Sequence, residues 1–403
     1  MSKVVCPYCF DSFDSSEVMF RCSNLIECPV AEDKKLTDFW GPCDHVTPSF
    51  KAPRRFWGGA PDSAKCPQCG RLSRLYICPH CHNQLPRAMV KERGYIISII
   101  GAKGSGKTNY IAVMLNELMQ RVSCLGDIGI VAWNTANGPM RKSRRPNNTQ
   151  ARYEEDFYHW VYEQSLCPPP TDVNAKVNNQ TPLIYEVNQE RKKPLFLVLY
   201  DTAGENFFST RTIAMNAQFL QHSDACIFLL DTEAIPYVYE RIHQGTQKGR
   251  GLPSLRYDTI LANIISFFDG VDNQLRKKHF SIPMALVFSK IDHVVNNEQL
   301  FLDTAIEGMS MEKNSSFLDG EGVNFPDIDS VSDGIRGVLH SWHEDNFINN
   351  IENHYKNVHY FGVSALGNNP KGRVITNLRP YRVLDPLVWI LDQIGFDLPI
   401  NKK

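Results

Sequence analysis

Continuous apolar runs along the last three-quarters of the chain predict the buried strands of an α/β domain. The runs cover residues 95–100, 182–187, 194–200, 224–231, 284–288 and 358–363. They are short and rich in Ile, Val, Leu and Phe, as in strands that a parallel sheet buries on both faces. The pattern of apolar positions therefore predicts a central sheet.

Helical periodicity appears between these runs. After the first run, apolar residues recur at three- and four-residue intervals: Ile111, Met114, Leu115, Leu118 and Val122. We expect further helices at 260–268 and 334–352, and a closing helix at 384–391. Strands that alternate with helices predict a three-layer α/β sandwich with a mostly parallel sheet.

A phosphate-binding pattern follows the first run. Residues 101–108, GAKGSGKT, satisfy G-x-x-x-x-G-K-[ST] between a strand and a helix. In such a loop glycines let backbone N–H groups approach phosphate oxygens, the lysine supplies positive charge, and the final hydroxyl binds magnesium. We therefore predict a nucleotide-binding P-loop formed by Gly101, Lys103, Gly104, Ser105, Gly106, Lys107, Thr108 and Asn109, with Thr108 as a magnesium ligand.

The sequence DTAGE follows the run at 194–200. Asp201 then lies at the carboxyl end of a strand, where open α/β sheets place their ligand chemistry. A carboxylate there can hold the magnesium ion, and the N–H of Gly204 can contact a γ-phosphate oxygen. We expect Asp201 to be the second protein ligand of the metal.

Two further motifs follow the last two runs and predict which base is bound. Asp292, in the segment Ser289-Lys290-Ile291-Asp292, can accept both N1–H and the exocyclic amine of guanine. Adenine offers no such pair of donors. The stem of Lys290 can lie along the base and ribose, and a backbone N–H of Ser364-Ala365-Leu366 can reach the guanine O6. GTP or GDP is therefore the expected nucleotide, and an ATPase is the alternative.

With these motifs in this order, residues 94–403 resemble a Ras-like GTPase domain of the translation-factor-related class of P-loop proteins. The resemblance implies a molecular switch that hydrolyses GTP to GDP and phosphate with magnesium. It implies catalytic roles for Lys107, Gly204, Glu205 and a switch threonine. Thr181, directly ahead of the run at 182–187, is the chosen threonine, and Thr171 is the alternative.

Three residues depart from the Ras-like pattern. Ser289 stands where Asn or Thr is usual, which would weaken a hydrogen bond between loops. Glu205 stands where these enzymes keep the Gln that orients the attacking water. Lys103 fills a position that is usually small, so it could supply positive charge in cis or exclude a partner's arginine. These departures concern the rate of hydrolysis more than nucleotide binding.

Nine of the twelve cysteines lie within the first 81 residues and predict zinc. Two closely spaced C-x-x-C hooks without a signal peptide indicate a zinc ribbon rather than disulfides. The expected ligand sets are Cys66, Cys69, Cys78 and Cys81 for one ion, and Cys6, Cys9, Cys22 and Cys28 for a second. Cys43 or His45 could replace Cys28, and the hooks could also pair across the two sites. Four protein ligands leave no open position, so the expected role is structural.

Composition supports a two-part chain. We expect a zinc-binding region at 1–93 and a GTPase domain at 94–403 with insertions near 125–180, 235–255 and 296–333. The formal net charge is −1, so protein partners are favoured over nucleic acid, although basic and aromatic residues alternate near the second hook pair. No apolar stretch approaches the roughly 18 residues of a membrane span, and no signal-peptide core is present. We therefore expect a cytoplasmic protein.

A narrower resemblance combines the cysteine hooks, DTAGE and the C-terminal segment Asp385-Pro386-Leu387-Val388-Trp389-Ile390-Leu391. This architecture resembles the bacterial double-GTPase family. It implies that the chain is one of a pair in a conflict or defence system, with a second GTPase and a regulatory or effector protein as partners. The alternatives are a GTP-binding interaction module that does not hydrolyse, and a zinc-ribbon NTPase associated with nucleic acid.

Overall fold

A computed structural model of the chain describes a defined set of residues. These are 3–53, 59–92, 94–126, 128–135, 148–170, 181–190, 194–201, 203–242, 256–297, 300 and 322–401. Thr171, the alternative switch threonine, lies outside the described residues, as do large parts of the three expected insertions.

The strands of the described residues are short in the N-terminal region and longer in the α/β sheet. They are β1 (Lys3–Val5), β2 (Ser12–Asp14), β3 (Met19–Arg21), β4 (Ser49–Lys51), β5 (Ala64–Lys65), β6 (Leu72–Ser73), β7 (Leu75–Ile77), β8 (Gly94–Gly101), β9 (Ile128–Ala132), β10 (Leu183–Gln189), β11 (Leu195–Tyr200), β12 (Ala225–Asp231), β13 (Met284–Ser289) and β14 (Val358–Gly362). The six apolar runs of the sequence correspond to β8 and β10 to β14, which confirms them as strands.

The α-helices of the described residues follow most of these strands. They are α1 (Lys34–Trp40), α2 (Arg87–Lys91), α3 (Lys107–Arg121), α4 (Thr149–Tyr153), α5 (Thr210–Asn216), α6 (Pro236–Ile242), α7 (Tyr257–Asp269), α8 (Asn273–His279), α9 (Asp292–Val295), α10 (Phe325–Ser341), α11 (Asp345–His354) and α12 (Asp385–Gln393). A π-helical segment, Glu154–Glu163, follows α4 directly. The expected helices after the P-loop, at 260–268 and at 384–391 are confirmed by α3, α7 and α12.

The single helix expected at 334–352 is wrong. Two helices, α10 and α11, cover this part of the chain, and α10 already begins at Phe325 within the expected insertion. The break follows Trp342, because His343 adopts a left-handed backbone conformation with φ of 63°. No glycine or proline marks this turn, so the sequence carried no local signal for it.

Seven of the strands form one sheet in the order β14-β13-β12-β8-β11-β10-β9. The pairs β8–β12, β12–β13 and β13–β14 are parallel. The pair β10–β11 is antiparallel, and its register places Leu183 opposite Leu199. The predicted α/β fold with a mostly parallel sheet and a small cysteine-rich N-terminal region is therefore confirmed.

Contacts divide the chain into two compact units. The first comprises Met1–Ile96, Gly129–Tyr153 and Asn174–Tyr200. It holds the hairpins β1–β2 and β5–β6, and a three-stranded antiparallel sheet in the order β4-β3-β7. The hydroxyl of Tyr200, at the end of β11, donates a hydrogen bond to the carbonyl of Pro7. This bond ties the first cysteine hook to the other strands of the same unit.

The second unit comprises Ile97–Ile128, Glu154–Val173 and Asp201–Lys403. Side chains of β12 and β13 are buried along almost their whole length. Helix α3 buries the apolar face that its periodicity predicts, including Ile111, Met114, Leu115 and Leu118. Burying such residues contributes roughly 1.5–3 kcal/mol per large side chain, so this packing fixes the start of α3 beside the end of β8.

Candidate functional site

The P-loop turns between β8 and α3 in the second unit. Gly106 has a φ of 80°, in the left-handed region, and it caps the N-terminus of α3. A residue with a side chain would be strained there, because Cβ disfavours this conformation. The turn leads the chain from β8 into the N-terminus of α3. The first N–H groups of a helix have no partner within the helix, so this position favours an anion.

Lys107, the first residue of α3, is almost fully buried in the loop. Its Nζ donates to the carbonyl oxygens of Gly101, at 2.8 Å, and Ala102, at 2.9 Å. Burial lowers the pKa of Lys107 to about 8, although the charges of Asp201 and Glu205 oppose this shift. The ammonium group therefore lies at the centre of the loop, with two carboxylates close enough to act on it.

The two expected magnesium ligands lie side by side. The Oγ1 of Thr108 donates to Oδ2 of Asp201 at 3.1 Å, so both oxygens can reach one ion. A hydroxyl and a carboxylate are oxygen donors of the type that Mg²⁺ prefers, with phosphate and water completing its shell. The donor set therefore fits magnesium.

Gly204, in the sequence DTAGE, packs directly on the P-loop. A Cβ on Gly204 would lie 2.6 Å from the carbonyl carbon of Ala102 and would overlap the backbone nitrogen of Lys103. Only glycine therefore allows this approach of backbone to backbone. The N–H-bearing chain at Gly204 thus lies against the loop that is expected to hold the phosphates.

Two of the three residues that depart from the Ras-like pattern, Lys103 and Glu205, pair with each other. Nζ of Lys103 lies 2.6 Å from Oε1 of Glu205, with the lysine side chain 70% exposed and the glutamate side chain 16% exposed. Burial alone would raise the pKa of Glu205, but the hydrogen bond from Lys103 and its charge lower it below the ordinary value. Glu205 is therefore ionised at neutral pH.

One cavity connects the P-loop with the two base-reading motifs. It has a volume of about 220 Å³, and its lining includes Gly104, Gly106, Asn109, Ser289, Lys290, Asp292, Ser364, Ala365 and Leu366. These residues come from segments that are far apart in the sequence, at the ends of β8, β13 and β14. The cavity brings together nine residues that the sequence assigned to nucleotide binding.

Asp292 is the first residue of α9 and lines this cavity, and only 3% of the residue is exposed. Oδ2 of Asp292 lies 3.5 Å from Nε2 of His293, and Nδ1 of the same ring lies 2.7 Å from Oε1 of Glu233. Neither His293 nor Glu233 belongs to a motif in the sequence. A histidine after an aspartate at a helix start carries no signal, because its partner lies far away in the sequence.

Ser289 and Lys290 hold the neighbouring loops together. Oγ of Ser289 lies 2.9 Å from the carbonyl oxygens of both Ser105 and Leu230, and its single proton can serve one of them at a time. The hydrogen bond between loops is therefore present despite the serine. Nζ of Lys290 contacts Oδ2 of Asp231 at 2.6 Å, and Lys290 has a left-handed φ of 57°, which is uncommon for a side-chain-bearing residue and typical of functional loops.

The SAL segment turns tightly after β14. The N–H of Ser364 donates to the carbonyl of Tyr381 at 3.0 Å, while its Oγ accepts from the N–H of Gly367 at 2.8 Å. Ser364 is thus used to shape the turn. The Ala365 and Leu366 positions line the cavity at the top of this turn.

Thr181 belongs to the first unit. It is buried, and its carbonyl accepts a hydrogen bond from Arg152 at 2.6 Å. The chain then enters β10 at Leu183. Its role as the switch threonine stays a prediction.

The cysteine hooks form two groups of four in the first unit, but not in the pairs expected first. One group is Cys6, Cys9, Cys78 and Cys81, and the other is Cys22, Cys28, Cys66 and Cys69. We call them the outer and the inner cluster. The sets Cys66/Cys69/Cys78/Cys81 and Cys6/Cys9/Cys22/Cys28 are therefore wrong, and the alternative of hooks that pair across the two sites is correct. Antiparallel pairing of β3 with β7 brings these distant segments together.

Cys43 and His45 belong to neither cluster among the described residues. Sγ of Cys43 instead lies 3.9 Å from Oγ1 of Thr37. Both alternatives to Cys28 are therefore wrong.

Three of the hooks share one backbone geometry. The residue after the second cysteine has a left-handed φ in each: 61° at Phe10, 73° at Gly70 and 58° at His82. Its N–H donates to the carbonyl of the first cysteine, at 2.9–3.0 Å. In the outer cluster, N–H groups also donate to the sulfur atoms of Cys6 and Cys78.

The sulfur positions match a tetrahedral zinc ion. The Cys6–Cys81 and Cys9–Cys78 sulfur distances are 3.7 and 3.8 Å, and the Cys22–Cys69 and Cys28–Cys66 distances are 3.5 and 3.8 Å. A tetrahedron with Zn–S bonds of about 2.3 Å has edges of about 3.8 Å. A hydrogen bond from the backbone N–H of Arg71 lowers the pKa of Cys69 to about 7, which favours the thiolate that binds metal. Both donor sets fit zinc.

Comparison with known proteins gives one relative along the whole chain. The chain is 24% identical over 413 residues to Putative ESX-1 scaffolding and assembly protein SaeC from Mycolicibacterium smegmatis, covering 98% of this chain and 100% of the relative. No model of a known protein family matches the chain.

Two solved structures are similar to part of the chain. The small GTPase Arl6 (BBS3) from Trypanosoma brucei with bound GppNp has 9% identity and a TM-score of 0.28, and covers 74% of this chain and 96% of its own. The signal recognition particle receptor complex SRb-GTP/SRX from Chaetomium thermophilum has 15% identity and a TM-score of 0.25, with coverages of 69% and 94%. At these identities and TM-scores, the likeness does not establish a function for the chain.

Within the described part of the chain, every helix is too short or too polar to span a membrane.

Proposed function

We propose that this chain is a magnesium-dependent GTPase that acts as a molecular switch. The observation that carries the proposal is the single cavity that joins Gly104 and Gly106 of the P-loop to Asp292 and to Ala365. A nucleotide needs these features together: amides for phosphate at one end and a buried carboxylate for the base at the other.

At the phosphate end, the proposed roles follow from the loop. Lys107 binds the β- and γ-phosphates in place of the carbonyl oxygens that it contacts here, and the N–H groups after Gly104 bind phosphate oxygens. Thr108 and Asp201 would hold magnesium, which supplies positive charge to the phosphate oxygens when bound. The close packing of Gly204 on the loop supports a role for its N–H in sensing the γ-phosphate.

At the base end, Asp292 accepts from N1–H and from the exocyclic amine of guanine. The N–H of Ser364 already donates to the carbonyl of Tyr381, so the N–H of Ala365 is the proposed donor to the guanine O6. The hydroxyl of Ser289 contacts the carbonyl of Ser105, so it links the segment 289–292 to the P-loop. These contacts favour guanine over adenine, because adenine presents an acceptor where guanine presents N1–H.

For hydrolysis, Glu205 is the proposed residue that accepts a hydrogen bond from the attacking water. Its pairing with Lys103 balances the carboxylate charge that would otherwise face the γ-phosphate. The P-loop lysine and the DTAGE backbone would stabilise the charge that develops on the phosphate oxygens. A GTP-binding module that does not hydrolyse is the second candidate. The ion pair favours it as well, because a Glu205 carboxylate bound to Lys103 is less available to accept a hydrogen bond from the attacking water.

The two cysteine clusters would hold two zinc ions that stabilise the N-terminal region. Four thiolates around each ion leave no position for substrate, so their chemistry is structural. The relative that spans the whole chain is named for ESX-1 scaffolding and assembly. This supports protein partners, with a switch that controls an assembly, and membership of a paired GTPase defence system stays a prediction.

A substitution at the base carboxylate tests the guanine assignment. In Asp292→Asn, the amide can donate one hydrogen bond where the carboxylate accepted, so we expect at least about a hundredfold weaker GDP binding, since a lost bidentate charged pair costs about 3 kcal/mol. The 2-oxo group of xanthine can accept from that amide, so XDP binding should rise. Isothermal titration calorimetry with GDP, XDP and ADP measures all three.

Asp269→Asn is the matched control, because the Asp269 side chain is 52% exposed and pairs with Arg276. It should leave nucleotide selectivity unchanged. Equal affinity of the unmodified chain for ADP and GDP would contradict the assignment. Single-turnover release of phosphate from GTP then separates the hydrolysing switch from the module that only binds.

A further inference from the structure

His293 lies between two carboxylates at the edge of the base cavity. Its Nδ1 is 2.7 Å from Oε1 of Glu233, and its Nε2 is 3.5 Å from Oδ2 of Asp292. The side chain is 10% exposed, and the residue lines the cavity with Asp292. Carboxylate oxygens only accept hydrogen bonds, so both ring nitrogens face acceptors. The ring satisfies both of them only as the imidazolium, with a proton on each nitrogen.

The charged groups around the ring favour that form. Burial lowers the pKa of His293, but the hydrogen bond with Glu233 and the charge of Asp292 outweigh it and raise the pKa above its ordinary value. Lys290 acts in the opposite direction, and its ammonium is itself paired with Asp231 at 2.6 Å. Glu233 lies in the turn after β12, and Asp231 is the last residue of β12. Lys290 and Asp292 lie in the segment after β13.

The geometry fits the needs of a base-reading carboxylate. Each carboxylate oxygen has two lone-pair directions, so Oδ1 and Oδ2 of Asp292 can each accept from guanine and still offer an outer direction. Nε2 of His293 lies 3.5 Å from Oδ2, close enough for a protonated ring to attract this oxygen and hold its orientation. When the ring is neutral with its proton on Nδ1 for Glu233, the lone pair of Nε2 faces that oxygen and repels it.

We propose that His293 is a positioning residue that, as the imidazolium, orients the Asp292 carboxylate for guanine and makes guanine affinity fall as pH rises. The proposal rests on guanine binding by this cavity. It makes Glu233, which holds the other side of the ring, a determinant of the pH at which affinity falls. A ring that only packs α9 against β12 would affect stability without affecting this pH dependence.

The test compares GDP affinity of the full chain between about pH 6 and about pH 8.5, a range that spans a histidine pKa raised above its ordinary value. Calorimetry is run on the unmodified protein and on His293→Gln, which keeps a hydrogen-bond donor but does not titrate. We expect the affinity for GDP to fall about tenfold over this range in the unmodified chain. This is the change expected when binding requires one proton and the pH rises about one unit above the pKa of the group that carries it. The variant should show only the shallow dependence that comes from ionisation of the nucleotide.

A second nucleotide reports on orientation rather than on folding. IDP lacks the exocyclic amine of guanine, so the GDP-to-IDP affinity ratio measures the second hydrogen bond to Asp292. In the unmodified protein the ratio should fall as pH rises, while in His293→Gln it should stay constant. His340→Gln is the control, since His340 pairs with Asp345 at an exposed site of α10 and α11 and does not line the cavity.

Glu233→Gln provides an independent variant. Loss of this carboxylate should move the fall in GDP affinity to lower pH, because the imidazolium loses its closest charged partner. An identical pH profile in the unmodified chain, His293→Gln and Glu233→Gln, with GDP still bound, would overturn the proposal while leaving guanine binding intact. Absence of GDP binding by the unmodified chain at every pH would instead overturn the proposed function, and this inference with it.

Discussion

At the residue scale, the charge of Lys103 in the P-loop balances the charge of Glu205, which pairs with it. The two side chains lie 2.6 Å apart, and the glutamate is the more buried partner. A γ-phosphate adds negative charge near Glu205, so the lysine matters more when GTP is bound than when GDP is bound. We therefore expect the pair to influence whether the proposed site prefers GTP or GDP.

Removing the lysine should reveal this preference. We expect Lys103→Ala to weaken binding of a non-hydrolysable GTP analogue by about two- to fivefold relative to GDP, the range of an exposed ion pair. Adding Glu205→Gln to the same chain should restore the ratio, because the uncompensated carboxylate is gone. Competition binding with GDP and the analogue measures both, and an unchanged ratio in Lys103→Ala would contradict the charge-balance argument.

Local motifs in the sequence identified most of the residues that line the candidate site, but not their partners. Gly106, Lys107 and Asp292 were identified because each motif encodes its own chemistry within a few residues. His293 was missed because its significance depends on Glu233, which lies on another strand end. The pairing of Lys103 with Glu205 was missed for the same reason, since each residue was considered separately against the triphosphate.

At the element scale, the cysteine hooks form locally but pair over long distances. The C-P-x-C spacing and the left-handed residue after it determine the turn, so the hooks themselves were predictable. Which hooks share an ion depends on the antiparallel pairing of β3 with β7, and that pairing leaves no mark in the hook sequences. The first interpretation joined hooks that are neighbours in the chain, whereas the structure nests them.

Double substitutions distinguish the two pairings. We expect Cys6→Ser and Cys78→Ser, alone or together, to abolish the same site, because both belong to the outer cluster. Cys6→Ser combined with Cys66→Ser should abolish both sites, because these residues belong to different clusters. Zinc content of the purified chain by mass spectrometry measures this, with Cys124→Ser as a control outside the clusters. Additive loss in the Cys6/Cys78 pair would contradict the nested arrangement.

The break between α10 and α11 shows a second limit on prediction from sequence. Apolar residues keep a helical spacing through this part of the chain, so one helix was expected. His343 ends it with a left-handed backbone conformation, at φ of 63°, which is uncommon for residues other than glycine. Tertiary packing of Trp342, which is 4% exposed, overrides the local preference here.

At the scale of the whole molecule, alternating strands and helices were enough to predict the α/β fold. A two-part chain was expected, but the sheet order and the assignment of Gly129–Tyr153 and Asn174–Tyr200 to the first unit were not, because they depend on contacts between segments separated by long stretches of chain. The relative matches 98% of this chain over the whole of its own length. This agreement concerns the full chain rather than the nucleotide motifs alone.

Nucleotide binding should stabilise the folded chain in a selective way. A ligand at 100 times its dissociation constant stabilises the native state by about 2.7 kcal/mol. We therefore expect GDP with magnesium to raise the midpoint of thermal unfolding, while ADP with magnesium leaves it unchanged. Differential scanning calorimetry checks this, and Asp292→Asn should lose the GDP response. A rise of equal size with ADP would argue against the guanine pocket.

The nested order of the cysteines has a consequence for a chain that has been cut. A single cleavage anywhere between Cys28 and Cys66 leaves a leading fragment with Cys6, Cys9, Cys22 and Cys28, while the trailing fragment keeps the other four ligands. Each metal ion would then be bound by two thiolates from the leading fragment and two from the trailing fragment. With zinc bound, both ions would therefore link the two fragments across the cut, and a chelator would leave only the non-covalent contacts, such as the β3–β7 pairing, to hold them.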